Sequence, residues 1–88
     1  MVHKDQKTLA KELAKAHRLV EVGSEYIHYK SPDKTYKVTQ LAVLEASDEI
    51  CVIYQAQYGD NLSFVRPLSS WLDIVEWNDQ KLPRFKKV

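Results

Sequence analysis

The sequence predicts a mainly β domain, α+β overall. An N-terminal amphipathic helix precedes five or six short antiparallel strands that form a small barrel or a strongly bent sheet. Three observations point there. Apolar residues recur at helical spacing through residues 5–21, then switch to a period of two from Glu25 onward. Turn signals at Pro32-Asp33, Ser47-Asp48, Gly59-Asp60-Asn61 and Asn78-Asp79 cut the remainder into short segments. The chain has 88 residues, 44% hydrophobic and 28% charged, which suits one globular domain and leaves little room for a second.

The helix is the clearest element. Leu9, Leu13, Ala16 and Val20 fall on one narrow stripe at about 100° per residue, with Lys4, Lys7, Lys11, Lys15 and Arg18 opposite. Asp5 is placed as its N-cap and Gly23 as the glycine just past its end. Two leucines, a valine and alanines make a thin stripe, so the helix needs a partner surface to persist. That partner is the sheet or the same helix of a second subunit, which would make a homodimer. Residues 1–4 are expected to be disordered, 5–22 to form the helix and 23–88 the β domain.

The strands follow in order. Tyr26–Lys30 is a short strand closed by a turn at Ser31–Lys34. Tyr36–Ala46 is a long strand whose alternation (Tyr36, Val38, Gln40, Ala42, Leu44) is blurred by Leu41 and Val43, which implies a bulge or burial on both sides. Glu49–Tyr58 places Val52, Tyr54, Ala56 and Tyr58 on one face. Leu62–Arg66 is the next strand, which Pro67 keeps from being central there. Leu68–Asp73 is a helical turn bearing Trp71, Ile74–Trp77 is a strand, and Lys81–Phe85 finishes as an edge.

Charge excludes some function classes. The net charge is +1, divided as +3 over residues 1–37, −6 over 38–80 and +4 over 81–88. Steering of the whole molecule toward nucleic acid or anionic lipid is therefore weak. No apolar run approaches the roughly 20 residues of a membrane span. With no secretory leader visible, the expected location is cytoplasmic, with no membrane partner. The single cysteine, Cys51, sits in the run Ile50-Cys51-Val52-Ile53 and reads as a small buried hydrophobe.

Catalytic signals are sparse. His3, His17 and His28 lack ligand spacing, so neither metal nor cofactor is expected. Two glycines cannot make a phosphate-cradling loop, and no nucleophile-elbow motif is present. His28 is the one candidate general base, but a satisfied, partly buried structural histidine explains it better. What the sequence does carry is aromatic and basic residues at strand spacing: Tyr26, His28, Lys30, Tyr54, Phe64, Arg66 and Trp71. Such a set fills a small core or makes a binding groove. Arg66, held extended before Pro67, is either a clamp for a carboxylate or phosphate or the partner of Asp73 or Glu76.

The segments Tyr26-x-His28-Tyr29-Lys30, Tyr36-x-Val38, Val52-Ile53-Tyr54, Tyr58, Val65-Arg66-Pro67 and Pro83-Arg84-Phe85 resemble a bacterial family. It is domain-of-unknown-function family sixteen-fifty-three, with the pattern Y-x-H-Y-K-G, Y-x-V, V-V-Y, W-V-R-P and P-R-F. The resemblance spans Gly23 to Phe85 and implies an SH3-like small barrel without assigning an activity. Phe64 stands where the family has tryptophan, Ser70-Trp71 where it has M-F, and Ser31 where it has glycine. Leu44-Glu45-Ala46-Ser47 replaces the family's H-S-E-T, so no proton or metal chemistry is expected from that segment. The helix is an addition to the minimal pattern.

These readings together describe a non-enzymatic SH3-like binding module for a peptide or protein ligand. The alternative is RNA or single-stranded DNA bound by the same rings, the basic helix stripe and the Arg84-Phe85-Lys86-Lys87 tail, and a small enzyme centred on His28 is the third reading.

Overall fold

The computed structural model describes residues 3–88. Helix α1 spans Gln6–Leu19 and seven strands follow: β1 Glu25–His28, β2 Ser31–Leu44, β3 Glu49–Ala56, β4 Ser63–Pro67, β5 Ile74–Trp77, β6 Gln80–Pro83 and β7 Phe85–Lys87. A short helix α2, Leu68–Trp71, joins β4 to β5. The main sheet is antiparallel in the order β4-β3-β2-β1-β7, and β5-β6 is a separate hairpin. Its hydrogen-bond pairing leaves β4 and β7 as edges, so the architecture is a mainly β sheet with an N-terminal helix.

Asp5 caps α1 as its sequence position suggests, its Oδ1 accepting the Thr8 N–H at 2.8 Å. The helix ends earlier than Gly23 implied, because Val20 is already extended. Gly23 instead supplies a left-handed turn at φ 92°, where its N–H donates to the Val38 carbonyl at 2.7 Å. The stripe is used within the chain: Ala16 and Val20 are 1% exposed and pack with Val38, Leu41, Ile50 and Val52, with Leu13 against them. Both ends of the helix are also tied down. The Lys4 N–H donates to Asp48 at 2.8 Å, with the His3 ring nitrogen 3.1 Å from the same carboxylate. At the other end Glu21 pairs with Lys87 of β7. Met1 and Val2 of the expected disordered start lie outside the described residues.

The blurred alternation of β2 is a bulge. Val38 pairs with Tyr54 but Gln40 pairs with Ile53, leaving Thr39 as the extra residue. One inserted residue reverses which side chains face inward. Tyr36 and Val38 face in before it, Leu41 and Val43 after it, so the expected register through Gln40, Ala42 and Leu44 is corrected beyond Thr39. The turn expected at Ser31–Lys34 is also corrected, since the chain reverses at Tyr29-Lys30 and β2 begins at Ser31. Residues 32–34 are the irregularity, as His28 pairs with Ser31 and Ile27 with Thr35. Pro32 thus needs no ladder partner on the β1 side. The expected closing strand divides at Arg84 into β6 and β7.

Candidate functional site: an aromatic cleft around Arg66

Cross-strand register decides which rings meet. Tyr36 of β2 pairs with Tyr26 of β1 and Ala56 of β3, Tyr54 with Val38 and Phe64, Val52 with Arg66, and His28 with Phe85. Directly paired residues point to one face. Tyr26, His28, Tyr36, Tyr54, Phe64, Arg66 and Phe85 therefore share the inner face. At the end away from α1 this face opens as a cleft of about 250 Å³, lined by His28, Tyr36, Tyr54, Phe64, Arg66 and Phe85.

The floor is a tightly coupled aromatic set. Trp71 stacks on Phe85, with centroids 3.7 Å apart and planes within 4°. Tyr54 meets Trp71 edge-on at 4.9 Å and Phe85 at 5.5 Å. His28 and Tyr36 meet Phe85 edge-on at 5.1 and 6.2 Å. Edge-to-face packing of this kind adds about 0.5–1.5 kcal/mol per pair beyond the area buried. It also fixes the rings that a ligand would touch.

Arg66 is held from three sides. Its Nε donates to the Tyr54 hydroxyl at 3.3 Å, its Nη1 donates to Ser70 Oγ at 2.9 Å, and its guanidinium carbon lies 5.4 Å from the Phe85 ring centre. Neither expected carboxylate serves it. Asp73 pairs instead with Arg84 at 3.5 Å, and no carboxylate among the described residues lies within ion-pair distance of Arg66. The half-buried guanidinium is therefore positioned by neutral partners, with its charge left uncompensated.

His28 accepts the Lys30 backbone N–H at Nδ1, 3.2 Å away, which places the proton of the neutral ring on Nε2. Burial holds its pKa below the ordinary histidine value, and the charges of Arg66, Arg84 and Lys30 act in the same direction. Tyr36 shares a hydrogen bond with the Tyr58 hydroxyl, and burial with that bond pushes its pKa up to about 12. The cleft thus presents donors, rings and one fixed positive charge, and its lining contains no carboxylate.

Of the seven residues picked out in the sequence, His28, Tyr54, Phe64 and Arg66 line the cleft. Tyr26 and Trp71 lie beneath it as core, 6% and 2% exposed, and the Tyr26 hydroxyl accepts the Glu21 N–H. Lys30 stands apart in the β1–β2 turn, its Nζ 5.7 Å from the Tyr29 ring centre and 6.0 Å from that of Trp77. Tyr36 and Phe85 join the site without having been singled out. A larger hollow of about 370 Å³ lies along α1, but there Lys4 is already paired with Glu12 at 2.9 Å. Cys51 is buried, and burial and then Glu49 raise its thiol pKa, which disfavours the nucleophilic thiolate. Among the described residues no cluster of three His, Cys, Asp or Glu could hold a metal, and no helix is long and apolar enough to cross a membrane.

Fold and cleft together define a small mainly β domain with one aromatic, cationic face and an added N-terminal helix. The chain belongs to the DUF1653 family of proteins of unknown function, whose sequence profile matches residues 24–87, leaving α1 outside the match. It is similar to the crystal structure of a DUF1653 protein from Bordetella bronchiseptica, with 29% identity and a TM-score of 0.66, covering 75% of this chain and 85% of that one. No curated protein shows a significant match.

Proposed function

We propose that this protein is a non-enzymatic binding module of SH3-like type, whose cleft takes an extended peptide segment carrying an acidic group. The observation that carries the reading is Arg66. A guanidinium fixed in place over an aromatic floor, with no carboxylate of its own, is preorganised for a carboxylate of a partner. Phe64, 41% exposed at the rim, offers an apolar contact beside it. The lining places no carboxylate and no serine, threonine or cysteine nucleophile beside His28.

Nucleic acid is the second reading, favoured by the rings and by the basic face of α1. It calls for several phosphate contacts and hence a steep salt dependence, whereas one carboxylate on Arg66 gives a shallow one. The test is fluorescence anisotropy at low and physiological salt. One probe is a pool of blocked pentapeptides bearing Glu and Phe, and the other is a single-stranded RNA octamer. The peptide reading expects saturable binding of the pool that persists at physiological salt. Binding of the RNA alone, collapsing with salt, would replace it with the nucleic-acid reading.

A further inference from the structure

We infer that the ligand peptide binds as an added strand on the free edge of β4, directing alternate side chains toward Phe64 and Arg66. The inference rests on the binding reading above and specifies its geometry.

The ladder shows which backbone groups are free. The Ala56 N–H donates to the Leu62 carbonyl at 2.9 Å, which makes Ala56 and Leu62 a hydrogen-bonded pair one step beyond Gln55 and Ser63. Such pairs alternate along an antiparallel ladder. Phe64 and Arg66 therefore spend their backbone groups on β3, while Ser63 and Val65 point theirs off the sheet. Pro67 supports the parity, because its position opposite Cys51 calls for no N–H toward β3. Among the described residues nothing accepts from the Ser63 or Val65 N–H.

The guards against pairing, Arg66 and Pro67, stand at one end of this edge, and its Leu62–Val65 half has none. The edge has no lysine, and Leu62, Phe64 and Val65 are 60%, 41% and 63% exposed. Unguarded apolar edges are templates for strand addition. Charge settles the occupant. The uncompensated Arg66 faces the cleft from this same strand, so the fitting peptide has an acidic residue opposite Arg66 and an apolar one opposite Phe64, two positions apart. A second copy of β4 would instead bring another Arg66 to the same edge.

The test uses the full chain and the Glu/Phe pentapeptide pool, with the two residues two positions apart, in two arms. Val65→Pro removes the central free N–H and leaves Phe64 and Arg66 unchanged. Its amide spectrum should keep the wild-type pattern at β1–β3, and its affinity for the pool should fall about five- to tenfold, one hydrogen bond's worth. Wild-type protein should lose affinity similarly for the same pool with N-methylated backbones, an arm that does not depend on how the variant folds. Unchanged affinity in both arms would overturn strand addition while leaving the Arg66 reading intact. No binding of the unmodified pool by wild type would overturn both. Self-association through β4 in light scattering, abolished by Val65→Pro, would reassign the edge to a second copy.

Discussion

The Trp71 and Phe85 rings lie face to face 3.7 Å apart, one from the short helix after β4 and the other from the last strand. This contact fastens the C-terminal strand beneath the cleft and makes Phe85 its floor, under Arg66. Core and site share a wall, so substitutions there separate into two kinds.

Replacing the floor should cost stability. Trp71→Ala and Phe85→Ala each delete a nearly fully buried ring and are expected to destabilise the protein by about 3–5 kcal/mol in urea unfolding. Phe64→Ala removes a ring that is 41% exposed, and should cost under about 1 kcal/mol while weakening peptide binding. Equal losses from Phe64 and Phe85 would mean that the rim is core.

Arg66 separates charge from shape. Arg66→Lys keeps the positive charge but cannot reach Tyr54 and Ser70 with one planar fork. Its stability should fall by about 1 kcal/mol, as for a neutral hydrogen bond lost at a wet site. Its affinity for the acidic pool should lie between those of wild type and Arg66→Ala.

Acid should act in two stages. His28 titrates low in the fold because of burial and the nearby Arg66, Arg84 and Lys30 charges. Its contribution to stability is thus complete above the ordinary histidine range and lost as pH falls through its folded value. Asp48 is also held low, first by the Lys4 N–H and then by His3, so its contribution is complete above the ordinary carboxylate range and lost as pH falls further. Unfolding midpoints measured against pH should lose the first step in His28→Gln and show a smaller second step in Asp48→Asn, where Asp5 and Glu21, also held low, still titrate.

The β5–β6 hairpin can be improved. Asn78 and Asp79 both sit in left-handed backbone, φ 52° and 61°, as a two-residue turn of the mirror-image type requires. Asp79→Gly makes this Asn-Gly and should raise stability by about 0.5–1 kcal/mol, read as a small rise in Tm. A fall would show that Asp79 contributes more than its backbone.

Much of this was legible because it is local. The Asp5 cap, the Ala16–Val20 stripe, the helical turn at Trp71 and the reversals at Asp48 and Asn78 each depend on a few adjacent residues. The inner face of β2 was legible only as a disturbance. Gln40 and Ala42 fit either register, so nothing near Thr39 says where the inserted residue lies. Alternation carried past the end of β1 aligns Lys30 with His28, but the chain has already turned there. Nothing adjacent in the sequence marks Phe85 and Tyr36 as cleft residues, because pairings remote in sequence, β1 with β7 and β2 with β3, bring them there. Arg66's missing counter-charge could not be read at all, because Asp73 turns to Arg84 only in the folded chain.

As proposed, Arg66 is the receptor for a partner's carboxylate. The most direct test is an amide NMR titration of wild type and Arg66→Ala with the Glu/Phe pentapeptide pool. The expected shifts are confined to His28, Tyr54, Phe64, Arg66 and Phe85 in wild type and absent in a variant whose own spectrum shows an intact sheet. Equal shifts in both proteins, or shifts confined to α1, would contradict that role for Arg66.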